Sequence, residues 1–233
     1  SSGKEVDPLD FPADGKIDFN YNWSIPNELK DGYRLKDGDY FTFKLPDNLA
    51  YRIATGSLGD YADYAIHADH TVTLTFKNVT GMHDIRGTFY YNQATVGTNE
   101  PGKIKIDVPI KAGSNTVEVI IKPTGGTSIA KTGKVDKANN PNQIFWDVTI
   151  NTNGNKLTNA KVSDAFPKGN TYSSVIVYPL TIDTKGNVTG KGTPLVAGTD
   201  YIVDASGTVT LIGKYAETYQ AFQLSYTTTI EDD

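Results

Sequence analysis

Apolar and polar positions alternate with a period of two along most of the chain, the pattern of strands that bury one face. Phe19, Tyr21, Trp23 and Ile25 alternate with Asn20, Asn22 and Ser24. Phe41, Phe43 and Leu45 alternate with Thr42 and Lys44, and Val72, Leu74 and Phe76 with Thr71, Thr73 and Thr75. Ile104, Ile106, Val108 and Ile110 are separated by Lys105, Asp107 and Pro109, and Val117 to Ile121 reads as the next strand. Beyond Pro123 the pattern resumes at Ile144, Trp146, Val148 and Ile150, then at Val175 to Val177, Val209 to Leu211 and Phe222 to Tyr226. Turn chemistry punctuates these runs: Lys36-Asp37-Gly38-Asp39, Asn99-Glu100-Pro101-Gly102, Ala112-Gly113-Ser114-Asn115, Asn153-Gly154-Asn155, Lys185-Gly186-Asn187 and Ser206-Gly207. No long stretch keeps a helical period, and only short helical turns are expected, near Leu58 to Tyr64 and Lys214 to Tyr219.

The pattern repeats itself. Tyr64-Ala-Ile-His-Ala-Asp-His-Thr71-Val72-Thr73-Leu74 has a counterpart in Tyr201-Ile-Val-Asp-Ala-Ser-Gly-Thr208-Val209-Thr210-Leu211, with the same Tyr-to-Thr spacing. Trp23-Ser-Ile-Pro-Asn27 echoes Trp146-Asp-Val-Thr-Ile-Asn151, and the turn after Phe41 to Pro46 echoes that after Val162 to Pro167. Short strands at close spacing, used twice, predict an all-β protein of two immunoglobulin-like, Greek-key β-sandwiches in tandem. The best boundary is Lys122-Pro123-Thr124-Gly125-Gly126-Thr127-Ser128, where proline ends a strand and two glycines supply flexibility. The expected organisation is therefore a first domain at 1–122, a linker at 123–129 and a second domain at 130–233. Ser1-Ser2-Gly3 reads as an expression scar. After its Phe89-Tyr90-Tyr91 strand the first domain runs on through two more, whereas the second stops after Phe222 to Tyr226. The second domain is expected to lack its last strand or strands, leaving an edge open to pairing with another chain.

Composition narrows the classes. The 233 residues carry a net charge of −5 with no basic cluster, which lacks the electrostatic footprint of a nucleic-acid binder. No apolar run is long enough to span a bilayer, and no signal peptide is visible. Zero cysteines exclude disulfides, thiolate metal sites and cysteine nucleophiles together. Threonine outnumbers leucine by more than two to one and tyrosine is abundant, as suits strands.

Candidate chemistry is sparse. His67 and His70 flank Asp69 on a strand turn without converging on one ion, and no serine sits in a nucleophile elbow. Asp37-Gly-Asp39 and Glu231-Asp-Asp233 lack the ligand spacing of a calcium loop and read as solvated turns. No metal and no cofactor is expected.

One constellation is more specific. It comprises Ala130-Lys131-Thr132-Gly133, Phe145 to Asn151, Leu157 to Pro167 with Asp164 inside it, and Phe222-Gln-Leu-Ser-Tyr226-Thr-Thr-Thr-Ile230. In order and spacing it resembles the second ligand-binding subdomain of Gram-positive cell-wall adhesins of the collagen-adhesin (MSCRAMM) type. Trp23, Gly38-Asp39, Phe41 to Pro46 and Thr71 to Phe76 make the first half similar to the partner subdomain, so the resemblance covers nearly the whole chain.

The resemblance implies a surface adhesin rather than an enzyme, with at most a single-turnover autocatalytic isopeptide bond. In the family that bond joins a first-strand lysine to an asparagine near the last strand with help from a buried acid. It needs a neutral lysine and a protonated carboxyl, both products of burial. Lys131 and Asp164 hold the lysine and acid positions, while the asparagine is expected beyond Asp233. Without the resemblance, Lys131 is a solvated lysine and Asp164 a turn acid. Such adhesins hold an extended host polypeptide in a trench between the two sandwiches. In that geometry Asp147 and Thr149 face the trench, where collagen-binding relatives carry an aromatic or amide side chain, and Tyr172 and Tyr178 supply stacking surface. The implied partner is a host extracellular-matrix protein or another extended polypeptide, and the implied location is the wall of a Gram-positive bacterium. A stalk or pilus module with an isopeptide for mechanical stability, and a carbohydrate-binding β-sandwich, stand as alternatives.

Overall fold

The computed structural model describes residues 9–96, 100–110 and 113–231. Ser1-Ser2-Gly3, expected to be a scar, and the last two acids of Glu231-Asp-Asp233 lie outside them, as do Asn99 and Ala112 of the expected turns. Two compact units emerge: Asp14–Asn99 with Ile104–Val119, and Leu9–Ala13 and Glu100–Lys103 with Ile120–Asp233.

Along the first part of the chain run β1 (Leu9–Pro12), β2 (Lys16–Ser24), β3 (Tyr40–Lys44), β4 (Ala54–Ser57), β5 (Ala62–Ile66), β6 (Thr71–Phe76), β7 (Arg86–Thr95), β8 (Gly102–Ile110) and β9 (Gly113–Lys122). They form a β3-β6-β5-β4 sheet, a β2-β7 pair and a β1-β9-β8 sheet. Inward positions of the first two layers meet in an aromatic core. Phe43 packs edge-on against Phe89 and Trp23 against Phe76, around the fully buried Leu45, Val72 and Leu74.

The second part contains β10 (Ile129–Val135), β11 (Gln143–Ile150), β12 (Leu157–Thr158), β13 (Lys161–Val162), β14 (Asn170–Ile182), β15 (Val188–Lys191), β16 (Tyr201–Val203), β17 (Val209–Leu211), β18 (Glu217–Thr218) and β19 (Ala221–Ile230). A five-stranded sheet, β10-β11-β19-β14-β15, lies over β13-β17-β16 and the small β12-β18 pair. Val148, Val177, Val209, Leu211, Phe222 and Leu224 fill the space between.

The repeated hairpin seen in the sequence is repeated in register. Tyr64 pairs with Leu74 across β5 and β6, and Tyr201 pairs with Leu211 across β16 and β17. The final strand, β19, is central rather than marginal, with β11 on one side and β14 on the other. The open edges of its sheet are β10 and β15.

Two helical expectations resolve differently. A 3-10 turn forms at Gly213–Tyr215. Residues 58–64, however, are the turn and start of the β4–β5 hairpin, because Leu58 donates its N–H to the Ala62 carbonyl.

The Pro123 to Ser128 segment is fastened to the second unit. Thr124 N–H donates to the Thr184 carbonyl at 2.9 Å, and Thr127 N–H to Thr152 Oγ1 at 2.8 Å. A Cβ on Gly125 would lie 2.6 Å from the Lys185 carbonyl oxygen, so this glycine serves close backbone approach rather than flexibility.

Candidate functional site

Alternation on β11 sends Trp146, Val148 and Ile150 inward, and Phe145, Asp147 and Thr149 to the opposite face. Register extends each outward residue into a row across the sheet. Thr132, Asp147, Ser225 and Ile176 form one row; Ala130, Thr149, Gln223 and Tyr178 form the next. Asp147 Oδ1 accepts hydrogen bonds from Ser225 Oγ at 2.6 Å and from Gln223 Nε2 at 2.7 Å. The carboxylate is thus held by neutral donors, with no cationic partner among the described residues. Beside it Phe145 is 46% and Ile176 45% exposed. The Tyr178 ring lies 4.4 Å from Lys191 Nζ, which caps one face of the ring by a cation–π contact. The result is an open surface of ordered polar groups flanked by apolar ones.

Tyr172 does not join this face. A bulge between Tyr172 and Ser174 shifts the β14 register, so alternation changes sides there. Tyr172 turns inward, stacked on Phe166 and edge-on to Tyr226, with Gly207 beneath its ring.

Lys131 and Asp164 meet on the inner face. Lys131 stands opposite Val148 in the β10–β11 ladder and so shares its inward side. Its Nζ lies 2.7 Å from Asp164 Oδ1, 4.1 Å from the Trp146 ring centroid and 5.5 Å from that of Phe166. Side-chain exposures of 30% for the lysine and 12% for the acid place the pair at the rim of the core. Asp164 Oδ2 is buried without a hydrogen-bond partner among the described residues, and so is the Tyr226 hydroxyl. Burial, reinforced by the Asp164 charge, holds the Tyr226 proton well above the usual phenol range. The Trp146 indole N–H donates to Thr228 Oγ1 at 3.1 Å, and that hydroxyl donates to Asn170 Oδ1 at 3.3 Å. A chain of contacts therefore runs from the lysine platform to an internal asparagine.

The remaining candidates are turn residues. Asp37 Oδ1 accepts from the Val79 and Thr80 N–H groups, which hold its carboxyl below the ordinary value. His67 Nε2 contacts Thr73 Oγ1 at 2.9 Å, while His70 Nδ1 lies 3.7 Å from Asp47. No cluster able to hold a metal occurs among the described residues. Sequence reasoning missed Ser225 and Gln223, although their alternation with Phe222, Leu224 and Tyr226 carried the signal.

Two β-sheet units along one chain, each with its own packed core, define a tandem Ig-like protein. Residues 126–233 match the model of the collagen binding domain family, and residues 11–105 match that of a bacterial Ig domain family. The second half of the chain is thus similar to a collagen binding domain and the first half to a bacterial Ig domain.

Similar solved structures include one described as the Enterococcus faecalis MSCRAMM ACE, which binds its ligands by the collagen Hug model. It is 17% identical, with a TM-score of 0.37, covering 98% of this chain and 81% of that one. The collagen binding domain of the Erysipelothrix rhusiopathiae surface protein RspB is 17% identical at a TM-score of 0.33, covering 98% and 79%. A chain from the structure of Gaeumannomyces graminis manganese lipoxygenase with part of Komagataella pastoris zonadhesin is 12% identical at 0.38, covering 96% and 80%. No curated protein matches the chain as a relative.

Proposed function

We propose that this chain is the ligand-binding region of a bacterial surface adhesin for collagen or a similarly extended matrix polypeptide. The observation that carries the reading is the outward face of β11 and β19 within the part that matches the collagen binding domain family. Asp147, Ser225 and Gln223 form an ordered hydrogen-bonding row there, beside half-exposed Phe145 and Ile176. A rod-like polypeptide offers repeated carbonyls and side chains to such a surface, and ordered polar groups bind at low entropic cost. Thr149 and Tyr178 extend the face by one row. In this reading the polypeptide lies in a trench between the two sandwiches, and the protein is anchored to a Gram-positive cell wall.

The Lys131–Asp164 pair serves a second purpose in the proposal. The carboxyl assists amide formation between Lys131 Nζ and an asparagine carboxamide, with ammonia leaving, which staples a protein without cysteines. A stalk-like role draws on the same pair, but it leaves the exposed Phe145–Ile176 surface without a purpose. Solid-phase binding of the whole chain to collagen, fibronectin, laminin and fibrinogen tests the reading. Dose-dependent, saturable binding to collagen is expected, and retention of none of these proteins overturns it.

A further inference from the structure

The first unit carries a small groove that the adhesin reading does not use. It measures about 200 Å³ and lies between the edge strand β4 and the C-terminal half of β7. Tyr64, Ile66 and Phe89 contribute apolar surface, and Arg52, Asn92 and Gln93 contribute polar groups.

Its construction leaves donors over and consumes acceptors. Opposite Asp18 the β2–β7 ladder slips by one residue, and Gln93 takes a left-handed backbone with φ of 68°. Such a conformation is uncommon outside glycine, and bulges of this kind re-aim side chains. Both oxygens of Asp18 are engaged: Oδ1 accepts the Gln93 N–H at 3.0 Å and Oδ2 accepts the Tyr90 hydroxyl at 2.9 Å. Gln93 Oε1 is engaged as well, accepting from Lys16 Nζ at 3.2 Å, which leaves the NH₂ end of the amide as its remaining polar group.

The backbone of Arg52 is held at the rim, where its N–H donates to the Tyr91 hydroxyl at 2.8 Å. Its guanidinium has no acid partner and no acceptor among the described residues. The arginines of this chain are Arg34, Arg52 and Arg86, against a background of lysine. An unpaired guanidinium beside a free amide donor presents planar donors to a carboxylate or sulfate. Tyr90, which also lines the groove, is 55% exposed as a residue, and a tyrosine ring offers a face against which sugar C–H groups stack.

We infer that this groove binds an anionic saccharide, one pyranose ring bearing a carboxylate or a sulfate. Arg52 pairs with the anion, the Gln93 and Asn92 amides reach ring hydroxyls, and Tyr90 packs on the ring face. The groove is smaller than the clefts of about 300–1,000 Å³ that enclose drug-sized ligands, and its volume suits one ring rather than an extended peptide.

The test is a titration of the isotopically labelled whole chain, followed by amide NMR shifts. The probes are a non-sulfated glucuronate disaccharide, a sulfated heparin disaccharide and neutral cellobiose. Saturable shifts at Arg52, Asn92 and Gln93 are expected with at least one acidic disaccharide, and the arm that responds distinguishes carboxylate from sulfate. Arg52→Gln should weaken that binding about tenfold or more. Tyr90→Ala should weaken it without loss of fold, and Arg34→Gln should leave it unchanged. Equal shifts with cellobiose, unaltered titration of R52Q, or equal binding of the acidic peptide Glu-Gly-Glu would overturn the inference. None of these outcomes depends on whether the second unit binds collagen.

Discussion

Gly133 faces Trp146 across the β10–β11 ladder so closely that a methyl group on it would lie 2.5 Å from the indole ring. The same ring lies 4.1 Å from Lys131 Nζ and donates its N–H to Thr228. Absence of a side chain at 133 is therefore what lets the indole lie flat under the lysine. Gly133→Ala is expected to push the ring aside at a cost of about 1–3 kcal/mol, the usual range for overpacking. Urea unfolding checks this: the midpoint should fall with an unchanged slope. An unchanged midpoint would show that the ring has room the structure does not provide.

The Lys131–Asp164 pair sets a second expectation. Removing the lysine strands a nearly buried carboxylate that already has one oxygen unpartnered. Lys131→Met should cost about 1–3 kcal/mol, the range being held down because the lysine is partly exposed. Adding Asp164→Leu to that variant should restore at least about 1 kcal/mol, because the stranded charge goes with it. A double variant no more stable than Lys131→Met alone would contradict the coupling.

The proposed amide has a mass signature. Its formation expels one ammonia, so a protein that carries it is lighter than its sequence by about 17 Da. The Lys131→Ala form of that protein should show its full mass. A deficit that survives Lys131→Ala would remove Lys131 from the chemistry.

Alkaline pH should unfold this protein through its buried tyrosines. Burial pushes the Tyr21 hydroxyl up to about 12 from an ordinary value of 10.0. It also raises Tyr51 and Tyr226. Above pH 10 the unfolded chain releases protons that the folded chain retains, so stability falls as pH rises. This contribution is complete below pH 10 and is lost progressively between about pH 10 and 12. Tyr226→Phe removes a buried hydroxyl with no partner among the described residues, so it should be neutral or stabilising by up to about 1 kcal/mol. Its melting temperature should also fall less steeply above pH 10. Marked destabilisation by Tyr226→Phe would mean the hydroxyl has a partner in solution.

The paired hairpins at Tyr64–Leu74 and Tyr201–Leu211 were readable because strand alternation and turn residues are local properties. The opposite facing of Trp146 and Asp147 followed from the same period of two. Tyr172 was not readable, since one extra residue before Ser174 reverses the face and leaves no mark in composition. Gly125 looked like a flexible joint, yet its use depends on a distant carbonyl at Lys185. The Arg52 groove draws on residues from separate strands and loops, whose meeting is a tertiary fact.

The central claim is that the outward face of β11 and β19 holds an extended matrix polypeptide. Surface plasmon resonance of the whole chain over immobilised triple-helical collagen tests it most directly. Asp147→Arg and Phe145→Ala, both on that face, should each weaken binding about tenfold or more while the melting temperature is kept. Ile202→Arg, on exposed β16 of the other sheet, should bind as the parent does. Collagen binding that is indifferent to Asp147→Arg and Phe145→Ala, or equally lost with Ile202→Arg, would contradict the account.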